Sequence, residues 1–350
     1  MSDFAQHLIR WQKAHGRHNL PWQGTRDAYR IWLSEIMLQQ TQVGTVIPYY
    51  LRFLERFPNL ARLADAPLDE VLALWSGLGY YSRGRNLHAA ARLVMERHGG
   101  AFPEYIEDII ALPGIGRSTA AAIAAFAYGA HCAILDGNVK RVLTRHFGIA
   151  GHPGAKKTET ELWLLAESLL PAHQVNTYTQ ALMDFGATLC TRAKPRCASC
   201  PLGSSCVALA TDSVARLPTS RPKKITLQKT TRMLILRHAG EILLEKRPPT
   251  GIWGGLWSLP EADMETDLAH HCRTHLGMEV ATAANLPALR HSFTHFRLHI
   301  APLLLDVTRL FPRVEQAEQL WLAPRDALSA AIPAAVRKLL QQLVALEAPG

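Results

Sequence analysis

The chain has 350 residues, 48% of them hydrophobic, with 38 Lys and Arg against 29 Asp and Glu and 16 His besides. That length accommodates two domains with separate cores, and the formal charge of +9 favours a polyanionic partner, although a solvated basic surface has the same composition. MSDFAQHLIR lacks a secretory pattern, and the most apolar stretch, Thr119 to Leu135, is interrupted by Tyr128, Gly129 and His131; it falls short of a membrane span, so a soluble, cytoplasmic protein is expected.

FAQHLIRWQKAHG predicts a first helix stopped by Gly16. Asn19-Leu20-Pro21-Trp22 follows, and Trp22 by itself reads as a core aromatic. Residues 27–46 predict a helix, a polar break at Gln40-Thr41, and the start of another helix. Glu35 lies within the first of these, and its helical neighbours are Ile31, Trp32, Leu38 and Gln39, three of them apolar. A carboxyl on such a face either lifts into solvent or enters an apolar site, where its pKa rises and it keeps its proton.

New segments begin at Pro58 and Pro67, with 69–74 helical. WSGLGYYSRGRNLHAAARLV then combines a Gly-rich turn, two tyrosines and three arginines. This composition suits insertion between bases with phosphates alongside, or a tight interhelical loop. Leu112 to Gly116, LPGIG, reads as a helical hairpin in which Gly114 and Gly116 turn the chain and leave helix N–H groups open to a phosphate. An Ala-rich helix leads to Asp136-Gly137-Asn138. Asp136 is a good N-cap for GNVKRVLTRHF, and the positive end of that helix favours its anion. A Glu35 in an apolar site and an Asp136 at a helix start would be two carboxyls driven apart in pKa, a combination suited to acid–base chemistry.

Two more helices are expected between 159 and 189, the second carrying Gln180, whose local pattern also suits a solvent-facing position. Cys190, Cys197, Cys200 and Cys206 follow with spacing C-x6-C-x2-C-x5-C. Four thiols in one short loop of a cytoplasmic protein point to a metal rather than disulfides, and this single loop fits a cuboidal cluster better than the separated knuckles of a zinc ribbon. Arg192, Lys194 and Arg196 between the first ligands form a cationic knob. Cys132 and Cys272 read as isolated small apolar residues.

Residues 211–229 are polar and basic and read as a linker between a helical domain, 1–210, and a strand-bearing domain, 230–350. The second domain opens with a hairpin turning at Ala239-Gly240. It continues through a helix around Leu268 to Leu276 and alternating residues from Phe296 to Ile300, and ends in the helix PAAVRKLLQQLVALE.

LPGIGRSTA followed by LDGNVKRV resembles the helix-hairpin-helix DNA glycosylases of the endonuclease III type. Ser118 stands where lyase-type members carry a Schiff-base lysine. The DGNVKRV form with Lys140, together with SEIMLQQTQV, resembles the adenine DNA glycosylase branch, which removes adenine mispaired with 8-oxoguanine. The resemblance implies a multidomain α and α+β protein: an all-α helix-hairpin-helix glycosylase domain with an iron–sulfur loop, then a Nudix-like α/β domain. It implies Glu35 as general acid, Asp136 as stabiliser of the sugar cation and Asn138 as its orienter. Trp22 and Gln180 would lie near the extruded base, Gln40, Thr41 and Tyr80 at the wedge, and Gly114, Gly116, Ser118 and Lys140 at the DNA contact. Arg83, Arg85 and Asn86 would lie near the backbone.

The same resemblance assigns the four clustered cysteines to one [4Fe–4S] cluster. The C-terminal half opens a Nudix box at Gly255 and Glu261 but carries AHHCRTHLG where the metal-binding carboxylates belong. It is expected to read 8-oxoguanine through Phe293-Thr294-His295 rather than hydrolyse pyrophosphate. The expected partner is double-stranded DNA with A:8-oxoguanine or A:G mispairs, bound by a monomer without membrane association. A bifunctional glycosylase/lyase and a non-catalytic iron–sulfur DNA-binding protein are the alternatives.

Overall fold

The structure is a computed structural model describing residues 2–221, 226–293, 295–311 and 319–347. It divides into two compact units, Met1–Asp65 with Asn86–Lys223, and Ala66–Arg85 with Lys224–Gly350.

The helices in chain order are α1 (Asp3–His15), α2 (Ala28–Leu38), α3 (Val43–Arg56), α4 (Leu60–Asp65), α5 (Leu68–Trp75), α6 (Ser82–Arg97), α7 (Ile106–Ala111), α8 (Arg117–Tyr128), α9 (Gly137–Phe147), α10 (Lys156–Ser168), α11 (Val175–Thr188) and α12 (Val207–Ala210). Local chemistry sets many of their ends. Ser2 caps α1 and Gly16 closes it, while Asp27 caps α2 through the N–H groups of Tyr29 and Arg30. In the first unit, α1, α8, α9, α10 and α11 share one core that includes Leu8, Ala121, Val139, Leu143, Leu162 and Phe185. Five successive alanine or isoleucine positions of α8, Ala121 to Ala125, are buried. Small side chains let neighbouring backbones approach that helix closely.

The second unit is built on one eight-stranded sheet. Its strands are β1 (Leu227–His238), β2 (Glu241–Lys246), β3 (Trp257–Ser258), β4 (Glu261–Ala262), β5 (Met278–Asn285), β6 (Leu289–Ser292), β7 (Phe296–Leu310) and β8 (Gln319–Leu322). The path is β3-β2-β1-β7-β5, with β4 on β1, β6 on β7 and β8 on β2. β1 and β7 run parallel, with Leu234 opposite Leu303; the other pairs are antiparallel. Met233 to Leu236 are all buried, so both faces of the central strand are covered. The expected β1–β2 turn forms at Ala239 and Gly240, both at positive φ. The remaining helices are α13 (Leu268–His271), which continues as a wider π-type turn to Leu276, then α14 (Pro324–Ala327) and α15 (Ala334–Glu347).

Two boundaries differ from the linear reading. β1 begins at Leu227, inside the stretch read as linker. More consequentially, 66–85 groups with the C-terminal strands rather than with the helices on either side of it in sequence. Asp69 on α5 accepts from Lys246 and, at 3.1 Å, from Trp257 Nε1. Ser76 donates to the Ile332 carbonyl at 2.7 Å and accepts from Arg337 at 2.9 Å. Such polar pairings across more than 170 positions leave no mark on local periodicity.

Candidate active site

Glu35 is the eighth residue of α2, in an otherwise buried stretch with Leu33, Ser34, Ile36 and Met37 all inaccessible around it. Burial pushes its carboxyl up to about 8, and the charge on Asp136 adds to the shift. The two acids are therefore within electrostatic reach although 101 positions separate their numbers. Asp136 caps α9, its Oδ1 accepting the Val139 N–H at 2.8 Å. The expectation that the helix end alone would hold Asp136 toward the anion needs correcting. Burial raises its pKa above the ordinary value, and the N–H groups of Val139 and Asn138 and the charges of Arg141 and Lys140 only oppose that rise. Burial therefore holds both carboxyls toward the protonated form, and the charge of Asp136 raises Glu35 further.

Asn138 Nδ2 stands 3.5 Å from Asp136 Oδ2, and Asn138 Oδ1 accepts from Arg141 Nη2 at 2.8 Å. Arg141 also donates to the carbonyls of Gly186 at 2.7 Å and Cys190 at 2.8 Å. α11 approaches Asn138 so closely that a Cβ on Gly186 would lie 2.6 Å from the Asn138 Cβ. Nothing local in the sequence marks Arg141 apart from Arg145, and in KRVLTRHF only Lys140 carries the resemblance.

A cleft of about 490 Å³ opens beside Glu35. Its lining includes Trp22, Ser34, Leu38, Phe126, Gln180 and Met183, but not Asp136. Trp22 is buried and meets the Tyr50 ring edge-on at 5.3 Å, so it is both a core aromatic and a wall. Gln180 donates to Asp184 Oδ1 at 2.9 Å. Asp184, fully buried, also takes the Arg17 backbone N–H at 2.9 Å and the Arg17 guanidinium at 2.6 and 2.7 Å. These contacts fasten the segment before Trp22 to α11. Asp184 carries no local signature of this pairing in the sequence, because its partner Arg17 lies 167 positions away.

The hairpin joins α7 to α8 through Leu112–Gly116. Gly114 has φ 79°, and a Cβ there would stand 2.8 Å from the Asn86 Cβ. Gly116 caps α8 without a side-chain bond, so the first N–H groups of that helix carry no side-chain cap. Arg117 lies 3.9 Å over the Trp163 ring and pairs with Glu167, which ties the hairpin to α10. Ser118 accepts the Leu135 N–H at 2.9 Å and thereby fixes the segment entering Asp136. Lys140 pairs with Glu159 at 2.5 Å. Gln40, at the turn after α2, is exposed with φ 55°, and the Thr41 N–H bonds the Leu38 carbonyl at 3.2 Å.

All four thiols of the cysteine loop line one cavity together with Arg145. Arg145 reaches Cys190 Sγ at 3.5 Å and the carbonyls of Thr191 and Arg192 at 2.7 and 3.1 Å. Burial pushes Cys200 up to about 11, so its thiolate needs a positive partner. Among the described residues no three His, Cys, Asp or Glu side chains converge as on a single ion. In a cuboidal cluster each iron takes one thiolate, so four sulfurs around a cavity fit that group.

In the second unit, Tyr80 is exposed at φ 49°, with Arg83 5.4 Å over its ring. Arg83 bonds the Gly79 carbonyl at 3.0 Å, and Arg85 donates to the Gly254 carbonyl. Phe293 stacks on Phe296 at 4.5 Å and contacts His291 and Trp253 at 4.7 and 5.4 Å. His295 is exposed, and Thr294 lies outside the described residues. Arg247 pairs with Glu261 at 2.6 Å, so the carboxylate of the Nudix-like opening is held by a cation of its own domain.

Residues 33–168 match the HhH-GPD superfamily of base excision DNA repair proteins, and residues 231–342 match the NUDIX domain. An adenine DNA glycosylase of Buchnera aphidicola subsp. Acyrthosiphon pisum (strain APS) is 37% identical over 341 residues, covering 97% of this chain and 97% of that protein. The Homo sapiens adenine DNA glycosylase is 34% identical over 402 residues, covering 97% of this chain and 73% of its own length. Among solved structures, a thermostable thymine-DNA glycosylase superposes with a TM-score of 0.55 at 31% identity, covering 59% of this chain and 95% of that one.

Proposed function

The chain belongs to the adenine DNA glycosylase family, and on that premise we propose that it excises adenine mispaired with 8-oxoguanine or guanine in double-stranded DNA, leaving an abasic site. The observation that carries the mechanism is a buried Glu35, pushed up to about 8, within electrostatic reach of an Asp136 that is held by the Val139 N–H at the start of α9. The adenine rotates out of the duplex into the cleft beside Glu35. The Glu35 proton passes to a ring nitrogen of the base. The glycosidic bond breaks with its electron pair leaving on the now neutral base. Positive charge builds on the sugar, and Asp136 stabilises it, with Asn138 holding the carboxylate. Water, losing a proton to the deprotonated Glu35, adds to the sugar carbon and restores the acid.

Ser118 supports hydrolysis over lyase chemistry: it is a hydroxyl, and it is engaged with the Leu135 N–H. The uncapped start of α8 would take a DNA phosphate, with Gln40 and Tyr80 as wedges. Cys190, Cys197, Cys200 and Cys206 would hold one [4Fe–4S] cluster, which when bound cross-links four points of one loop. The Phe293 ring stack would serve lesion recognition by the C-terminal unit. The reading includes a monomer working in the cytoplasm; no helix among the described residues is long and apolar enough to cross a membrane.

Single-turnover base release across duplexes pairing adenine with each base and with 8-oxoguanine tests this. Adenine should be released opposite 8-oxoguanine and guanine, with no covalent capture by borohydride. Release from none of the duplexes would leave a DNA-binding protein without the activity, and efficient borohydride capture would establish a lyase.

A further inference from the structure

Asp184 and Arg17 carry no assigned role in the chemistry above, yet they control what the cleft offers to a base. Resting on the proposed excision of adenine in this cleft, we propose that they are positioning residues that fix the Gln180 amide with its carbonyl toward the cleft, so that the site selects a base bearing an exocyclic amino group.

The argument starts from donor and acceptor inventories. A carboxylate accepts and cannot donate, so the side of the Gln180 amide facing Asp184 must be its NH2. That bond is present at 2.9 Å. Asp184 is itself immobile: it is fully buried, and both its oxygens are occupied by Arg17, Oδ2 by the backbone N–H and Oδ1 by the guanidinium. One amide hydrogen is held by Asp184, Gln180 Oε1 has no bonded donor among the described residues, and Gln180 lines the same cleft as Glu35. A free glutamine would turn either end toward a ligand, accepting from an amino group or donating to a keto oxygen. The fixed one keeps its nitrogen toward Asp184 and cannot exchange Oε1 for a donor at the same place. It matches the amino group of adenine and opposes the keto oxygen of hypoxanthine or guanine, where two acceptors would face each other.

The same arrangement favours the transition state over the ground state. When Glu35 delivers its proton, the purine becomes cationic and its amino hydrogens more acidic. The bond to the Gln180 carbonyl then strengthens as the glycosidic bond weakens. The effect should appear in the rate of base release more than in duplex affinity.

The full-length protein is assayed under single turnover on duplexes carrying adenine, unsubstituted purine or hypoxanthine opposite 8-oxoguanine. Comparing the adenine-to-purine rate ratio between proteins cancels the intrinsic lability of each nucleoside. Wild type should favour adenine, and Asp184→Asn, which frees the amide to turn, should lower that ratio about tenfold while narrowing the gap to hypoxanthine. Arg17→Met, which keeps the backbone donor and loses the side-chain clamp, should shift the ratio in the same direction and serves if Asp184→Asn does not fold. In a Gln180→Leu background neither substitution should alter the ratio further. A variant that slows adenine and purine by one common factor, leaving the ratio of wild type, overturns the positioning role. Absence of adenine release by wild type would instead overturn the excision reading on which the proposal rests.

Discussion

The charge on Asp136 reaches Glu35: it adds to burial in driving the Glu35 carboxyl up to about 8, although the two residues belong to different helices and different parts of the sequence. Either acid alone would be unremarkable, one a buried glutamate and the other an N-cap. Together they give the site a glutamic acid that holds its proton near neutrality and a second carboxyl whose charge strengthens that hold.

Removing the proton donor should separate chemistry from binding. Glu35→Gln retains the shape of the side chain and loses the titratable proton, so base release should fall by about 100- to 10,000-fold, the usual worth of a positioned acid. Duplex affinity should be unchanged, because the hairpin and basic residues are untouched. Single-turnover rates and equilibrium binding on one duplex check both halves, and a wild-type rate would remove Glu35 from the mechanism.

The same substitution makes a stability prediction. Glu35 ionises near its ordinary 4.5 in the unfolded chain and near 8 when folded. Between those values the folded state binds a proton that the unfolded state has lost, so stability falls as pH rises, by about 1.4 kcal/mol per unit at most. The loss levels off above about pH 8. Glu35→Gln lacks this slope, so it should gain on wild type in denaturant unfolding from pH 5 to pH 8; parallel curves would contradict the buried acid. Base release by wild type should likewise decline as pH passes 8.

Gly114→Ala probes the hairpin. The positive φ disfavours any side chain, and the added Cβ would press on Asn86. A loss of about 1–3 kcal/mol is expected. Because the strain falls on the turn ahead of α8, duplex affinity should fall more than the rate of release from bound DNA. Titration and single-turnover kinetics at saturating protein separate the two.

Arg141→Met removes donors from Asn138 Oδ1 and the Gly186 and Cys190 carbonyls while keeping an unbranched stem. Leaving such acceptors unmet costs about 1–3 kcal/mol each, not additively. The melting temperature should fall, and base release should slow with Asn138 no longer held beside Asp136. Unchanged release in a destabilised protein would show that Arg141 serves the fold alone.

How much was legible beforehand varies by residue. Glu35 stood out because three of its four helical neighbours are apolar, and Asp136 because it precedes Gly-Asn at a helix start. Periodicity and capping recovered α1, α2, α8, α9 and α15 with their boundaries nearly in place. The grouping of 66–85 with the C-terminal strands was not legible, since α5 has an ordinary amphipathic pattern and its partners lie far along the chain. Asp184 and Arg17 were missed for the same reason: neither has a local signature, and each is defined by the other across 167 positions.

The amino-acid sequence by itself determined the kinds of chemistry available: two carboxyls in contrasting local settings, a hairpin with an open helix start, and four thiols in one loop. Periodicity, capping and spacing are short-range effects, so they are written within a few residues of where they act. Only the tertiary structure decided that Glu35 and Asp136 share a field, that burial raises both acids rather than one, and that a buried ion pair takes a hydrogen bond from the Gln180 amide. Desolvation and Coulomb interaction depend on what surrounds a group in space, and chain order does not specify those surroundings.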